Sequence, residues 1–517
     1  MGESIEVCLG CGKKLNNVLQ FEVFTFTPGQ YVCSECTKKF KKQLTEIRNG
    51  ALEIIIRNRS LNEKFDEFVE SEEIFDHLDT HSFYLHGSHQ AREYMFSLLE
   101  EVHRFAYHAT FECHLFCDMF ENADPMFFSD RYFLTNSVIK TIGAWEKLLR
   151  FHCLYFEVQL DRDPKNNSLS RLQKKMNKTE FKQTNLYSEY IRLKSNNSFG
   201  EIDKARKNND HNVSYHLEGK NFLELSELAE MILENTSALY NGIDEALELL
   251  TKRTRLATRK FNNDFGLVNK IEENDKIFKK KALKIKSKFN LEDISQINQL
   301  SVDYISWASN RLDEVSSWKI RYSHPPMISI YYRLIDVAVR VHESARSLGY
   351  SAELFEQAVN LNYADLDKHW VNFDGMNYRY FIHSALLRIY GVYDKLGMII
   401  QDLFEVELGN VTFEAVIEQI RVTDGDDRFL NSLPPLKLCN RILSTVAYKK
   451  LYDSRQDFFH LLILQDFMKP QYKEVIDTEL IIAIIENCKM IYQLIDSLDI
   501  ALVHFHQIGT YHQNTKI

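Results

Sequence analysis

RYFLTNSVIKTIGAWEKLLRFHCLYFEVQL at residues 131–160 and RYFIHSALLRIYGVYDKLGMIIQDLFEVEL at residues 379–408 read as two versions of one segment. Ten of the 30 aligned positions are identical without a gap, at an offset of 248. Others are conservative, such as Trp145 with Tyr393 and Glu146 with Asp394. Self-similarity at a fixed offset marks an internal duplication. Helical apolar spacing extends outward from both copies. It predicts helices over 90–119, 131–160 and 222–250 in the first repeat. In the second it predicts helices over 326–348, 376–406, 440–468 and 474–506. Gly (18) and Pro (8) are scarce in the 517 residues, which favours a mainly α protein over a turn-rich β protein. Pro434-Pro435 is a helix-breaking boundary.

A second pairing falls on the same duplication. Arg206-Lys207-Asn208-Asn209-Asp210-His211 and Arg455-Gln456-Asp457-Phe458-Phe459-His460 both read Arg, four residues, His. No other R-x4-H occurs in the chain, and the two arginines are 249 apart. On a helix this spacing lets both side chains reach one patch. A guanidinium holds phosphate through paired hydrogen bonds, and an imidazole moves protons near neutral pH. Together they are a minimal kit for cutting RNA without a metal. Arg206, His211, Arg455 and His460 are therefore the candidate catalytic residues.

The N-terminal segment has different chemistry. Cys8-Leu9-Gly10-Cys11 and Cys33-Ser34-Glu35-Cys36 bracket 21 residues. Four thiolates in two CxxC pairs are the zinc-ribbon arrangement, closed and tetrahedral, with no open position for catalysis. Cys8, Cys11, Cys33 and Cys36 are thus the candidate ligands of a structural Zn, with a strand and turn expected over FEVFTFTPG (21–29). The expected organisation is a zinc ribbon at 1–45, a helical connector at 46–80, a first repeat at 81–250, a basic helical linker at 251–320 and a second repeat at 321–510. Within the first repeat, the polar, Asn- and Lys-rich stretch 161–200 reads as a long loop with a partial helix.

The net charge of −10 excludes a uniformly basic nucleic-acid coat but allows a local basic groove. Lys252, Arg253, Arg255, Arg259 and Lys260, then Lys279, Lys280, Lys281, Lys284, Lys286 and Lys288, form a basic strip that reads either as a solvated face or as phosphate contacts. No signal peptide is evident, and the longest tempting apolar run, Leu480 to Ile485, is far too short to span a bilayer. Nine Cys, four of them in CxxC pairs, suit a reducing cytosol. The expected location is cytoplasmic, without membrane association. His103, His108, Cys113, His114 and Cys117 crowd one segment and read as core residues before a second metal site. Glu146 and Asp394, each followed by Lys, could orient the motif arginines or form helix ion pairs. No P-loop, dinucleotide fingerprint or HExxH is present.

With two R-x4-H motifs on helical repeats, the chain resembles the HEPN superfamily. Its members are compact helical bundles found in bacterial toxins, abortive-infection proteins and RNA-guided antiviral ribonucleases. The family motif has a polar residue after the Arg, here Lys207 and Gln456, where Asn is most frequent. Val213 and Leu462 stand where family toxins regulated by tyrosine modification carry Tyr. The resemblance covers about residues 81–510. It implies tandem HEPN-like bundles paired as an intramolecular pseudo-dimer, with a homodimer as a further level. It also implies a metal-independent endoribonuclease leaving 2′,3′-cyclic phosphate ends, with RNA as substrate and an antitoxin or sensor protein as the partner class. The alternative is a non-catalytic HEPN and zinc-ribbon scaffold that binds RNA or a partner protein.

Overall fold

The computed structural model describes residues 34–76, 83–122, 130–156, 158, 169–177, 179–211, 222–252, 294–322, 325–360, 378–404, 408, 412–424, 433–460 and 473–514. Every regular element among them is helical, and no strand occurs among the described residues. Fourteen α-helices follow in chain order: α1 (Ser34–Asp76), α2 (Phe83–Asn122), α3 (Asp130–Tyr155), α4 (Leu169–Met176), α5 (Asn185–Ser195), α6 (Ser198–His211), α7 (Phe222–Lys252), α8 (Ile294–Ser317), α9 (Pro325–Asn360), α10 (Tyr378–Leu403), α11 (Phe413–Asp424), α12 (Pro434–Ser444), α13 (Val446–His460) and α14 (Lys473–Asn514). None is long and apolar enough to cross a membrane among the described residues.

The duplicated segments form α3 and α10, whose bounds differ by 248 at both ends. Both are buried almost all round, so each carries apolar residues on every face rather than one stripe. Buried side chains gather in two large clusters around them. One draws on α1 to α7, plus Leu387 of α10. The other draws on α8 to α14. α1 packs on α2 and α7 and supplies Leu44, Ile47, Ala51 and Ile54 to the first cluster. The segment expected as a connector is therefore part of a core. α8, expected in the basic linker, likewise gives Tyr304, Ala308 and Val315 to the second cluster. Residues 253–293, which hold most of the basic strip, lie outside the described residues.

The stretch 161–200 differs most from expectation. It holds α4, a 3₁₀ turn at Glu180–Gln183, α5 and the start of α6. Among its described residues, two threonines act as helix caps. The Thr179 hydroxyl accepts from Phe181 N, and the Thr184 hydroxyl accepts from Tyr187 N. Leu172, Met176, Phe181, Leu186, Tyr190 and Leu193 meanwhile face the core. The helix expected over 440–468 is divided. Pro434 and Pro435 open α12, where a missing N–H is harmless. Thr445 then caps α13 through Tyr448 N at 3.2 Å.

The same bounds recur in the two halves. α5 and α12 differ by 249 at both ends, and α6 and α13 close on His211 and His460. Trp145 Nε1 donates to Asn235 Oδ1 at 3.1 Å, and Tyr393 Oη donates to Asn487 Oδ1 at 2.7 Å. Both asparagines donate back to a carbonyl four residues earlier, Met231 and Ala483. ELAEMILENTSALYNGID at 227–244 and ELIIAIIENCKMIYQLID at 479–496 carry this correspondence with eight identities in 18.

Candidate functional site

α6 packs on α3 and also on α10; α13 packs on α10 and also on α3. Each motif helix therefore touches the duplicated helix of both halves. The polar groups between α3 and α10 are arranged reciprocally. Lys140 Nζ stands 3.7 Å from the Tyr380 ring centroid, and Arg388 Cζ stands 4.1 Å from that of Tyr132. Tyr380 Oη donates to Glu112 Oε1 at 2.5 Å, while Tyr132 Oη meets Ser347 Oγ at 2.7 Å. Asn136 Nδ2 donates to Ser384 Oγ at 3.3 Å. Tyr132, Asn136 and Lys140 correspond to Tyr380, Ser384 and Arg388 at the offset of 248. The junction is buried and charged: Lys140 binds Glu112 at 2.6 Å and Arg388 binds Glu343 at 2.9 Å, with all four largely buried. Burial pushes the Glu112 carboxyl up, against the pull of Lys140. The same burial brings the Lys140 ammonium down to about 8.

Within each motif helix the arginine is held differently. Arg206 Nε and Nη2 donate to Asp203 Oδ1 at 3.3 and 3.1 Å, one turn back on α6. The other oxygen of Asp203 takes Lys207 Nζ at 2.6 Å. Burial raises this carboxyl, but Lys207 and Arg206 outweigh it and hold it below the usual range. Arg455 Cζ lies 4.7 Å over the Tyr390 ring of α10, with Tyr452 beside that ring at 6.2 Å. Position 452 is the equivalent of 203, so an aromatic ring replaces the carboxylate. His211 and His460 are the last residues of their helices; their side chains lie outside the described residues, as does that of Gln456.

The remaining candidates resolve as follows. Lys147 and Lys395, which follow Glu146 and Asp394, form buried ion pairs with Glu101 at 2.6 Å and Asp336 at 2.7 Å. Asp394 Oδ1 accepts from Phe413 N at the start of α11. Gly397 permits that approach, since a Cβ there would stand 3.0 Å from Phe413 Cα. Cys113 meets Ser137 Oγ at 3.4 Å, and Cys117 is buried in the first cluster. His103 bonds to Asn58 and stacks on Phe65, and His108 stands edge-on to Tyr380. These are core contacts. No group of three His, Cys, Asp or Glu able to hold a metal occurs among the described residues.

Of the zinc candidates, Cys8, Cys11 and Cys33 lie outside the described residues, as does the strand expected over 21–29. Cys36 is buried in the first turn of α1. It packs in the first apolar cluster, and α1 begins at Ser34, inside the span 1–45 expected for the ribbon.

Sequence reading missed Asp203, Tyr390 and the junction residues. The junction had a signal: Tyr132, Asn136 and Lys140 are four apart on one face of the helix, and a stripe of the same spacing, Tyr380, Ser384 and Arg388, recurs in the second copy. Comparison with protein-family models, curated proteins and solved structures finds no match for the chain.

Proposed function

We propose that the chain is a metal-independent endoribonuclease made of two tandem HEPN-like bundles that pair within one molecule. One observation carries this reading. The R-x4-H copies occupy the same register of equivalent helices, and each of those helices lies against both α3 and α10. A composite site needs two arginine–histidine pairs at one junction, and this packing of the motif helices supports that arrangement.

In this site Arg206 and Arg455 bind the scissile phosphate and stabilise the charge that builds on its oxygens. One of His211 and His460 takes the proton of the 2′-hydroxyl, whose oxygen attacks phosphorus. The other gives a proton to the departing 5′-oxygen. The products are a 2′,3′-cyclic phosphate and a 5′-hydroxyl. Cys8, Cys11, Cys33 and Cys36 would hold a structural zinc that folds the N-terminal module. The setting is a cytoplasmic defence or toxin system, restrained by an antitoxin or sensor protein.

The test is incubation of the purified protein with total RNA in EDTA, followed by end-group analysis. Fragments ending in cyclic phosphate support the reading. Intact RNA across a range of salt and pH, with RNA binding retained, would support the scaffold alternative instead.

A further inference from the structure

The two arginines are not equivalent. Asp203 grips Arg206 through one oxygen and Lys207 through the other. A phosphate arriving at Arg206 must therefore displace a carboxylate. One turn before Asp203 on α6, Phe199 packs against Tyr190 of α5, which is fully buried between Trp145 and that ring. Its hydroxyl has no hydrogen-bond partner among the described residues. Burial, then the Asp203 and Glu146 carboxylates, keep that hydroxyl protonated and hence a donor. A buried donor without an acceptor costs about 1–3 kcal/mol, so an arrangement that gives Tyr190 an acceptor is favoured by that order. The equivalents of these residues in the second half are Tyr452 and Cys439, which cannot reproduce the device.

We propose that Asp203 is a carboxylate gate on the first motif, bound to Arg206 and Lys207 in the free protein and handed to the Tyr190 hydroxyl when an RNA phosphate takes the two cations. This inference rests on the RNA-binding reading of Arg206. It makes the first copy the conditional half of the site. Tyr190 and Asp203 are positioning residues; neither touches the reacting atoms.

A double-mutant cycle tests the gate, with a 2′-O-methylated single-stranded RNA as probe, since that RNA cannot be cut through its 2′-oxygen. Asp203→Asn should tighten binding about three- to tenfold. It should also steepen the salt dependence by roughly one to two phosphate contacts, because two cations are released. Tyr190→Phe should weaken binding about two- to fivefold in the parental chain and have no effect in the Asp203→Asn background. A merely structural Tyr190 would change thermal stability, not this coupling. Asp203→Asn that folds and binds no tighter overturns the gate, as does a Tyr190→Phe effect of equal size in both backgrounds. Should Asp203→Asn unfold, Asp203→Ser repeats the measurement. Failure of the parental chain and every variant to bind RNA would remove the RNA reading itself and this inference with it. Binding without coupling would remove the gate alone.

Discussion

His103 shows how burial converts a residue type into a stability term. Burial, reinforced by Arg104, brings its pKa down to about 3. Burial likewise brings His152 to about 4, although the Leu148 carbonyl pulls the other way. Both values lie below the 6.5 of the unfolded chain, so the unfolded state binds more protons below about pH 6.5. Their contribution is complete above that pH and is lost as pH falls toward the folded values. At pH 5 each histidine should remove about 2 kcal/mol relative to pH 7.5. Urea unfolding at the two pH values checks this, and His152→Leu should remove about half of the difference. The tight clustering of His and Cys in this segment was visible in the sequence. It reads as core, and α1 and α7, packed over α2, supply the burial; the size of the resulting pKa shifts depends on that packing and was not legible.

The hairpin of α5 and α6 shows what can be decided at the scale of an element. Asn197 has φ 65, in the left-handed region, at the bend between the two helices. Asn tolerates that region and a β-branched residue does not. Asn197→Gly should be neutral to within about 0.5 kcal/mol, and Asn197→Val should cost about 1–2 kcal/mol in chemical denaturation. The sequence placed the long helices around the duplicated segments because their apolar periods are strong; it assigned no helix to the first motif and ran the second motif helix across the break at Thr445. It misplaced 161–200 because Asn, Thr and Lys are shared by loops and by caps of short helices. Six apolar residues spread over that stretch decide for helix only once α3 and α7 receive them. The N-terminal cysteines belong to this scale as well. Elemental analysis should find one zinc per chain, and serine at Cys8 and Cys11 should abolish it while leaving the helical circular-dichroism signal nearly intact. A zinc-free protein from gentle purification contradicts the ribbon.

At the scale of the whole molecule, the contacts between the two buried clusters include charged and aromatic groups. Arg388 is central to them: it binds Glu343, lies over Tyr132 and donates to the Tyr132 carbonyl at 3.1 Å. Arg388→Ala removes the buried ion pair with Glu343 and the contacts to Tyr132 and should destabilise the protein by about 3–5 kcal/mol. Since the lost contacts to Tyr132 join α10 to α3, calorimetry should show the main transition dividing into two. A single transition at the parental temperature contradicts that account. The duplication of α3 and α10 was legible in ten identities, but not the way the copies face one another. That required the cross-contacts of Lys140 and Arg388, which single residues in a row do not announce.

The central claim is that both R-x4-H copies serve one metal-independent cut. The most direct measurement pairs RNA cleavage in EDTA with thermal unfolding for the parental chain and for the His211→Ala, His460→Ala double variant. The account predicts cyclic-phosphate fragments from the parent, none from the variant, nearly unchanged RNA binding and an unchanged melting temperature. A stable double variant that cuts RNA at the parental rate would contradict it.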